Sequence, residues 1–559
     1  MAVPAKTIQP ADLKINLKNG GLRFEDFRQD TLVASVSKED LVEAVRHVRD
    51  DLDGRFITST GTDMRTVNGN YRISQLFALD AQRQFLVLYS DIDPQSPDIP
   101  AITGLIPGAA WAEREVRDMI GVTPTGHPDL RRLILPDDWP ADVHPLRRDF
   151  PIDERPPAAP ENKVRINLPP KDASLFPIGP FFPTLEEPTF INLYVHGEQI
   201  VGMDYRGFYN HRGVEKLGDS ELTYHQIPAL AERICGICGF VHSSSYCQTV
   251  EKAAGITIPR RAAYIRTLLL ELERIHSHLL WIGLACHFIG FDTLFMQAWR
   301  IREPVMWLTE YITGNRKTYG MNRIGGVSRD LPFDAFERIT PVIDKIEAQS
   351  AQVVDAIVED ASLRARLEGA GILSTEAARS YCVVGPTARG SGLDIDARRD
   401  HPSAAYDELE FEVCVETGCD IWARTLVRIR ELLDAIQIVR QVLKKMPSGP
   451  IVAEVDEITP YQVGVSGVEA PRGEVIHYIL TGPDNRPYRW RVRAPSYNNL
   501  QSIPAMLTGA NLADAPISVG SLDPCFSCTE RIQVVDRDSG NVRIYRQAEL
   551  LEKFLAKGR

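Results

Sequence analysis

The chain has 559 residues, 44% of them apolar and 25% charged, with a formal net charge of −12. That length exceeds a single core and calls for about three or four units of ordinary domain size. The acidic balance excludes a nucleic-acid binder, which needs a basic face, and the composition excludes wholesale disorder.

The opening Met1-Ala-Val-Pro-Ala-Lys6 lacks the apolar run of a secretory signal. A cytoplasmic location is therefore expected, with the nine cysteines as thiols or metal ligands rather than disulfides. Residues 31–150 read as a small α+β domain: Ser37-Lys-Glu-Asp40 can open a helix whose apolar face carries Leu41, Val45 and Val48. Tyr71–Leu79 and Phe85–Tyr89 read as a strand hairpin. The proline-rich stretch 151–176, with Arg155-Pro-Pro-Ala-Ala-Pro-Glu161, reads as a linker. Beyond it, Phe190–Val201 reads as a hairpin turning at His196-Gly197.

Helical periodicity then dominates, over Arg260 to about Leu284, Phe333 to about Leu367 and Tyr406 to about Lys445, and such lengths predict a bundle. The nearly uncharged stretch His276–Trp299 is interrupted by His276, His278, His287 and Asp292. Its apolar runs fall short of the roughly 20 residues of a membrane span, so a buried helix is expected. Short strands return after Pro460. The fold class expected is α+β: a small N-terminal α+β domain joined to a mainly helical bundle domain with small β elements.

The chemistry concentrates in two cysteine pairs, Cys235-Gly-Ile-Cys238 and Cys525-Phe-Ser-Cys528. Two thiolates two residues apart can grip one soft metal, and two such pairs make a four-sulfur site. A local zinc ribbon is excluded, because its pairs lie roughly 15 to 20 residues apart, whereas here the whole helical region separates them. Gly236 and Gly239 suit a tight metal turn, Arg233 can offset thiolate charge, and His242 can orient a sulfur by a hydrogen bond. Cys247, Cys286, Cys382, Cys414 and Cys419 are expected as small buried hydrophobes. Structural zinc on four thiolates is the plain alternative.

Flanking residues add a resemblance. Arg233-x-Cys-Gly-x-Cys-x-x-x-His242 with Asp523-Pro-Cys-x-x-Cys-x-x-Arg531 resembles the paired motif of nickel-iron hydrogenase large subunits. His211-Arg-Gly-Val-Glu-Lys216, Gly385-Pro-Thr-Ala-Arg-Gly-Ser-Gly392 with Asp396, Arg398 and Tyr406, and Glu469-Ala-Pro-Arg-Gly473 are similar to the branch shared with the 49 kDa subunit of respiratory complex I. Trp111-Ala-Glu-Arg-Glu-Val-Arg-Asp118 and Gly126-His-Pro-Asp-Leu-Arg-Arg132 resemble the complex I 30 kDa subunit. This order resembles the large subunit of energy-converting, membrane-associated hydrogenases of the formate hydrogenlyase type.

The resemblance implies a 30 kDa-like domain at 31–150, a hydrogenase or 49 kDa-like domain at 177–531 and a tail at 532–559. It implies nickel on four thiolates, with Cys235 and Cys525 terminal and Cys238 and Cys528 bridging to an iron that carries carbon monoxide and cyanide. Cys525 would take the proton from H2 and Glu187 would carry it away, with Glu186 as rival. Arg472, Pro495 and Ser496 would surround the diatomic ligands. Arg531 stands where hydrogenases outside this branch often have histidine, a departure at their magnesium-type site. A maturation protease would cut between Arg531 and Ile532; an ordinary strand and helix at Ala548–Leu555 is the alternative.

No further cysteine cluster has iron-sulfur spacing, so the cluster is expected in a small partner subunit. Ferredoxin-like electron-transfer subunits and the membrane subunits of a complex I-like assembly complete the implied partners, with formate dehydrogenase among the candidate donors. The implied location is peripheral, on the cytoplasmic face of the cell membrane. The absence of a Gly-rich phosphate loop excludes direct use of NAD. The competing function is a quinone-binding, complex I-like subunit without nickel, a role with no need of four thiolates.

Overall fold

The computed structural model describes residues 22–28, 30–152, 156–157, 159, 169–179, 189–209, 211–525, 531–535 and 542–546. The expectations for Glu186, Glu187, Cys528 and the Ala548–Leu555 helix fall outside these. Arg531 and Ile532 lie on a described strand whose side chains do not.

The N-terminal unit is a five-stranded sheet in the order β1-β2-β5-β4-β3, built from β1 Arg23–Arg28, β2 Thr31–Ser35, β3 Arg55–Met64, β4 Asn70–Leu79 and β5 Gln84–Ile92. β4 and β5 are the anticipated hairpin, while β2 runs parallel to β5. Helix α1, Leu41–Asp51, buries Leu41, Val45 and Val48 as its periodicity predicts. It is opened by the Ser37 hydroxyl accepting from the Asp40 N–H at 3.2 Å. With α2, Ala110–Ile120, it covers one face of the sheet in a core that includes Phe77, Leu86, Leu88, Val116 and Ile120. The other face is also covered: Val33, Leu76, Phe85 and Val87 pack on Val465, Ile476, Tyr478 and Tyr488 of the C-terminal sheet. Burial on both faces is why β5 reads as a continuous apolar run.

The C-terminal sheet comprises β9 Val463–Ala470, β10 Gly473–Thr481 and β11 Pro487–Arg493, in antiparallel order. A further small sheet contains β6 Ser174–Ile178, β7 Phe190–His196 and β8 Gln199–Arg206, the last two forming the expected hairpin. β6 extends into the proline-rich stretch. The tail carries the strands β12 Arg531–Val535 and β13 Val542–Arg546, paired as a hairpin.

Between these sheets lie the helices: α3 Val214–Ser220, α4 Gly239–Ala254, α5 Arg260–Phe288, α6 Asp292–Thr313, α7 Ala335–Glu359 and α8 Ile421–Lys445. Three expectations are corrected. His276–Trp299 is the end of α5 and the start of α6, broken at Gly290, which sits at φ 83°. The segment 333–367 is two helices, because Asp360 leaves helical geometry and caps Ala361–Leu367 through the Leu363 N–H. The last long helix starts at Ile421 rather than near Tyr406, because Asp420 caps it there, accepting from the Ala423 N–H at 2.8 Å. No helix among the described residues is long and apolar enough to cross a membrane.

A buried ionic network joins α5, α8 and β9. Arg389 reaches Glu431 at 2.7 Å and Glu469 at 2.9 Å, all three side chains being almost wholly buried. His278 meets Glu431 at 3.0 Å. Arg274 donates to the Glu469 carbonyl at 2.7 Å and pairs with Glu271 at 3.1 Å. The network thereby fixes the end of β9, from which Pro471 and Arg472 project. Removing one partner of such a group strands the other charge in low dielectric. Arg389→Met is expected to cost about 3–5 kcal/mol, read as a lowered denaturant midpoint.

Candidate metal centre

The first cysteine pair lies in the turn that enters α4. Cys238 is the residue before the first helical turn, and the Cys235 sulfur accepts from the backbone N–H groups of Ile237 at 3.4 Å and Cys238 at 3.3 Å. The spacing thus folds the chain around one sulfur. Gly239 is required by packing: a Cβ there would lie 2.4 Å from the Tyr319 ring and 2.5 Å from the Glu232 carbonyl. Gly236 meets nothing. Glu273 of α5 caps α4 by accepting from Phe240 at 3.1 Å and Val241 at 3.0 Å. Its carboxyl is pushed up to about 8, chiefly by burial.

The second pair arrives from the far end of the chain. Asp523 turns the backbone at φ 53°, and Arg472 grips that turn, donating Nε to the Asp523 carbonyl at 2.7 Å and Nη2 to its carboxylate at 2.8 Å. The Cys525 N–H donates to the Ser496 hydroxyl at 3.0 Å. The preceding segment is tied to the bundle by the Trp281 ring N–H on the Gly520 carbonyl and by Arg428 on the Ser521 carbonyl, both at 2.9 Å. These ties bring the Cys525 and Cys235 sulfurs to 3.3 Å. A disulfide is about 2.05 Å, so the two sulfurs are neighbours and not bonded.

Two motifs that read separately in sequence turn out to share one contact. Gly385, at φ 68°, and Gly473, at φ 129°, face each other, and a Cβ on Gly385 would lie 2.3 Å from the Gly473 Cα. Only glycine lets the Gly385–Gly392 run approach the Arg472 turn this closely.

The electrostatics follow from the geometry. Hydrogen bonding from the Cys238 and Cys525 thiols holds the Cys235 thiol well below its ordinary value, with Arg472 assisting and burial opposing. Hydrogen bonding to Cys235 together with burial pushes Cys238 the other way. Burial works against the Arg472 guanidinium, but Asp523 and the three sulfurs outweigh it, so it stays charged. The cation serving the thiolates is therefore Arg472. The expected Arg233 is half exposed, pairs with Glu232 at 2.7 Å and lies over the Tyr319 ring at 4.8 Å.

His242 is buried, and its Nδ1 lies 3.2 Å from Nε2 of His477. Pro495 and Ser496 are buried on a short helix, α9 Pro495–Asn499, beside Cys525. Among the remaining cysteines, Cys247, Cys286 and Cys382 are buried as expected, but Cys414 and Cys419 are only half-buried. Sequence reasoning missed Glu273, Asp523 as the partner of Arg472, and His477. Only Asp523 carried a signal, its place in the second motif.

Among the described residues, no group of three or more His, Cys, Asp or Glu side chains is placed to hold a metal ion. The donor set nonetheless suits a soft one: three cysteines converge around a fixed cation, and the fourth, Cys528, is outside the described residues.

Residues 212–287 match the family described as nickel-dependent hydrogenase. Residues 34–156 match the 30 Kd subunit, and residues 289–465 and 458–531 the 49 Kd subunit, of respiratory-chain NADH dehydrogenase. Formate hydrogenlyase subunit 5 of Escherichia coli K12 is 41% identical over 529 residues, covering 93% of each chain. The chain belongs to the nickel-iron hydrogenase large-subunit family of complex I type. Hydrogenase-4 component G of the same organism is 39% identical to this hydrogenase subunit, over 94% of it and 93% of the relative. A chain of the membrane-bound sulfane sulfur reductase, an archaeal respiratory membrane complex, shares the hydrogenase fold with TM-score 0.61. That chain is 31% identical and covers 64% of this subunit and 98% of itself. The α+β architecture expected from sequence is the fold of this family, and the subunit is an oxidoreductase of hydrogenase type.

Proposed function

We propose that this hydrogenase subunit interconverts H2 with protons and electrons at a centre held by Cys235, Cys238, Cys525 and Cys528. The 3.3 Å approach of Cys235 and Cys525 supports this reading more than any other observation, since it joins the two motifs at one point. When bound, the metals supply a soft, open coordination position at which H2 is formed or split.

The protein's own contribution is positioning and proton handling. Cys525 holds the proton at its sulfur, its backbone pinned by Ser496 and by the Arg472 grip on Asp523. Glu187 is our candidate to carry that proton away, with Glu186 beside it. Carbon monoxide and cyanide on the iron would need donors in a dry pocket bounded by Arg472, Pro495 and Ser496. Ser496 accepts from Cys525 and so keeps its own O–H to give. Arg472 has committed Nε and Nη2 to Asp523, leaving Nη1, which lies 3.4 Å from the Ser277 hydroxyl.

We further propose that electrons arrive through a small subunit carrying an iron-sulfur cluster and through ferredoxin-like subunits, with formate dehydrogenase as a donor. The complex would lie peripherally on the cytoplasmic face of the membrane, against membrane subunits. Relatives named as formate hydrogenlyase and hydrogenase-4 components support this assembly.

Elemental analysis of the purified complex tests the centre: about one nickel per chain is expected, whereas zinc on the four sulfurs, or neither metal, would overturn it. The segment from Ile532 is read as a maturation tail. The intact mass of active protein should then correspond to a chain ending at Arg531, and a mass ending at Arg559 would retire the idea.

A further inference from the structure

Trp490, His477 and His242 form a line of three buried rings leading from β11 across β10 to the first turn of α4, next to the first cysteine pair. The Trp490 ring N–H lies 3.1 Å from Nδ1 of His477, and Nε2 of His477 lies 3.2 Å from Nδ1 of His242. An indole N–H can only donate. Nδ1 of His477 must therefore accept, which puts the hydrogen of the neutral ring on Nε2. That hydrogen points at Nδ1 of His242, which must accept in turn, so His242 carries its own hydrogen on Nε2.

Burial keeps both imidazoles neutral, pulling His242 down to about 4 and His477 well below its ordinary value. The start of the line is held rigidly. The Trp490 backbone N–H donates to Asp219 at 2.6 Å, and a Cβ on Gly218 would lie 2.4 Å from the indole ring. The Tyr246 ring packs edge-on against Trp490 with centroids 5.4 Å apart. Gly218 and Asp219 belong to α3, so the helix that continues the His211–Lys216 motif fixes the donor that starts the line.

We propose that Trp490 and His477 form a one-way hydrogen-bond relay that locks His242 as the Nε2–H tautomer, presenting a fixed donor to the cysteine cluster. His477 is then a positioning residue. It acts through His242, and its importance lies in the polarity of its two nitrogens rather than in its bulk. Only the last link, from His242 to the sulfurs, rests on the metal-centre reading.

Glutamine can mimic that polarity, accepting from Trp490 through its carbonyl and donating to His242 through its amide, whereas leucine fills the space without either bond. In the purified complex, His477→Gln should keep its nickel, its turnover and the infrared bands of the iron's diatomic ligands at wild-type positions. His477→Leu and Trp490→Phe should shift those bands, and His477→Leu should lower kcat by about tenfold or more, as loss of an outer partner of a metal site commonly does. Identical bands and kcat for the Leu and Gln variants would overturn the relay, because a packing role does not distinguish them in that direction. A wild-type complex without nickel would overturn the centre and with it the last link. Thermal melting then decides the relay alone: His477→Gln melting above His477→Leu supports it, and the reverse order removes it.

Discussion

Cys525→Ser is expected to give a folded complex that has lost both nickel and measurable H2 turnover. The substitution keeps the N–H that donates to Ser496 and leaves the Arg472–Asp523 grip untouched, so the segment should stay in place. What it removes is a polarizable sulfur 3.3 Å from Cys235. A serine hydroxyl is a harder donor and does not ionise near neutral pH, so it serves neither as a soft ligand nor as a proton acceptor there. Cys286→Ala makes the control. That thiol is buried in an apolar setting and pushed up to about 12 by burial, so its loss should leave nickel unchanged. Metal analysis with melting curves for both variants checks the pair; a Cys525→Ser protein that retained full nickel would remove Cys525 from the ligand set.

Much of this centre was legible in the sequence because its parts are local. Cys235-Gly-Ile-Cys238 and Asp523-Pro-Cys525 are turns whose residue types state their chemistry at short range. The helices α1 and α5 were visible for the same reason, their apolar spacing being read within a few turns. What stayed hidden depends on partners far along the chain. Arg274, Arg389 and Arg472 are fully buried, yet an arginine looks the same in sequence whether it faces water or Glu469. β3 was missed because Arg55–Met64 is rich in Ser and Thr, and its Gly61 makes room for Ile120 of α2. The start of α8 was misplaced because the capping strength of Asp420 lay inside a segment whose acidic residues resembled a helix surface. The direction of the Trp490–His477–His242 line is invisible without coordinates, since it depends on which nitrogen faces which.

Arg472→Leu should be the most damaging single change outside the cysteines. Its guanidinium neutralises Asp523 and faces the Cys235 sulfur, the one in the cluster whose ionisation is favoured, all three side chains being buried. Leucine would leave those groups without a cation, a loss on the order of 3–5 kcal/mol for a broken buried pair. It would also orphan the Asp523 carbonyl, which now accepts from Nε at 2.7 Å and whose loss of a partner costs about 1–3 kcal/mol. The two losses share one turn and will not simply add. A lowered melting temperature together with loss of nickel is therefore expected. Arg472→Lys restores the charge without the fork that holds carbonyl and carboxylate together. It should recover most of the stability and little of the turnover, because Cys525 would no longer be held in register with Cys235. Adding Asp523→Asn to Arg472→Leu removes the stranded carboxylate, and the double variant should melt above the single one. If it melts no higher, the stranded charge is not what destabilises Arg472→Leu, and the grip of Arg472 on Asp523 acts through the backbone carbonyl alone.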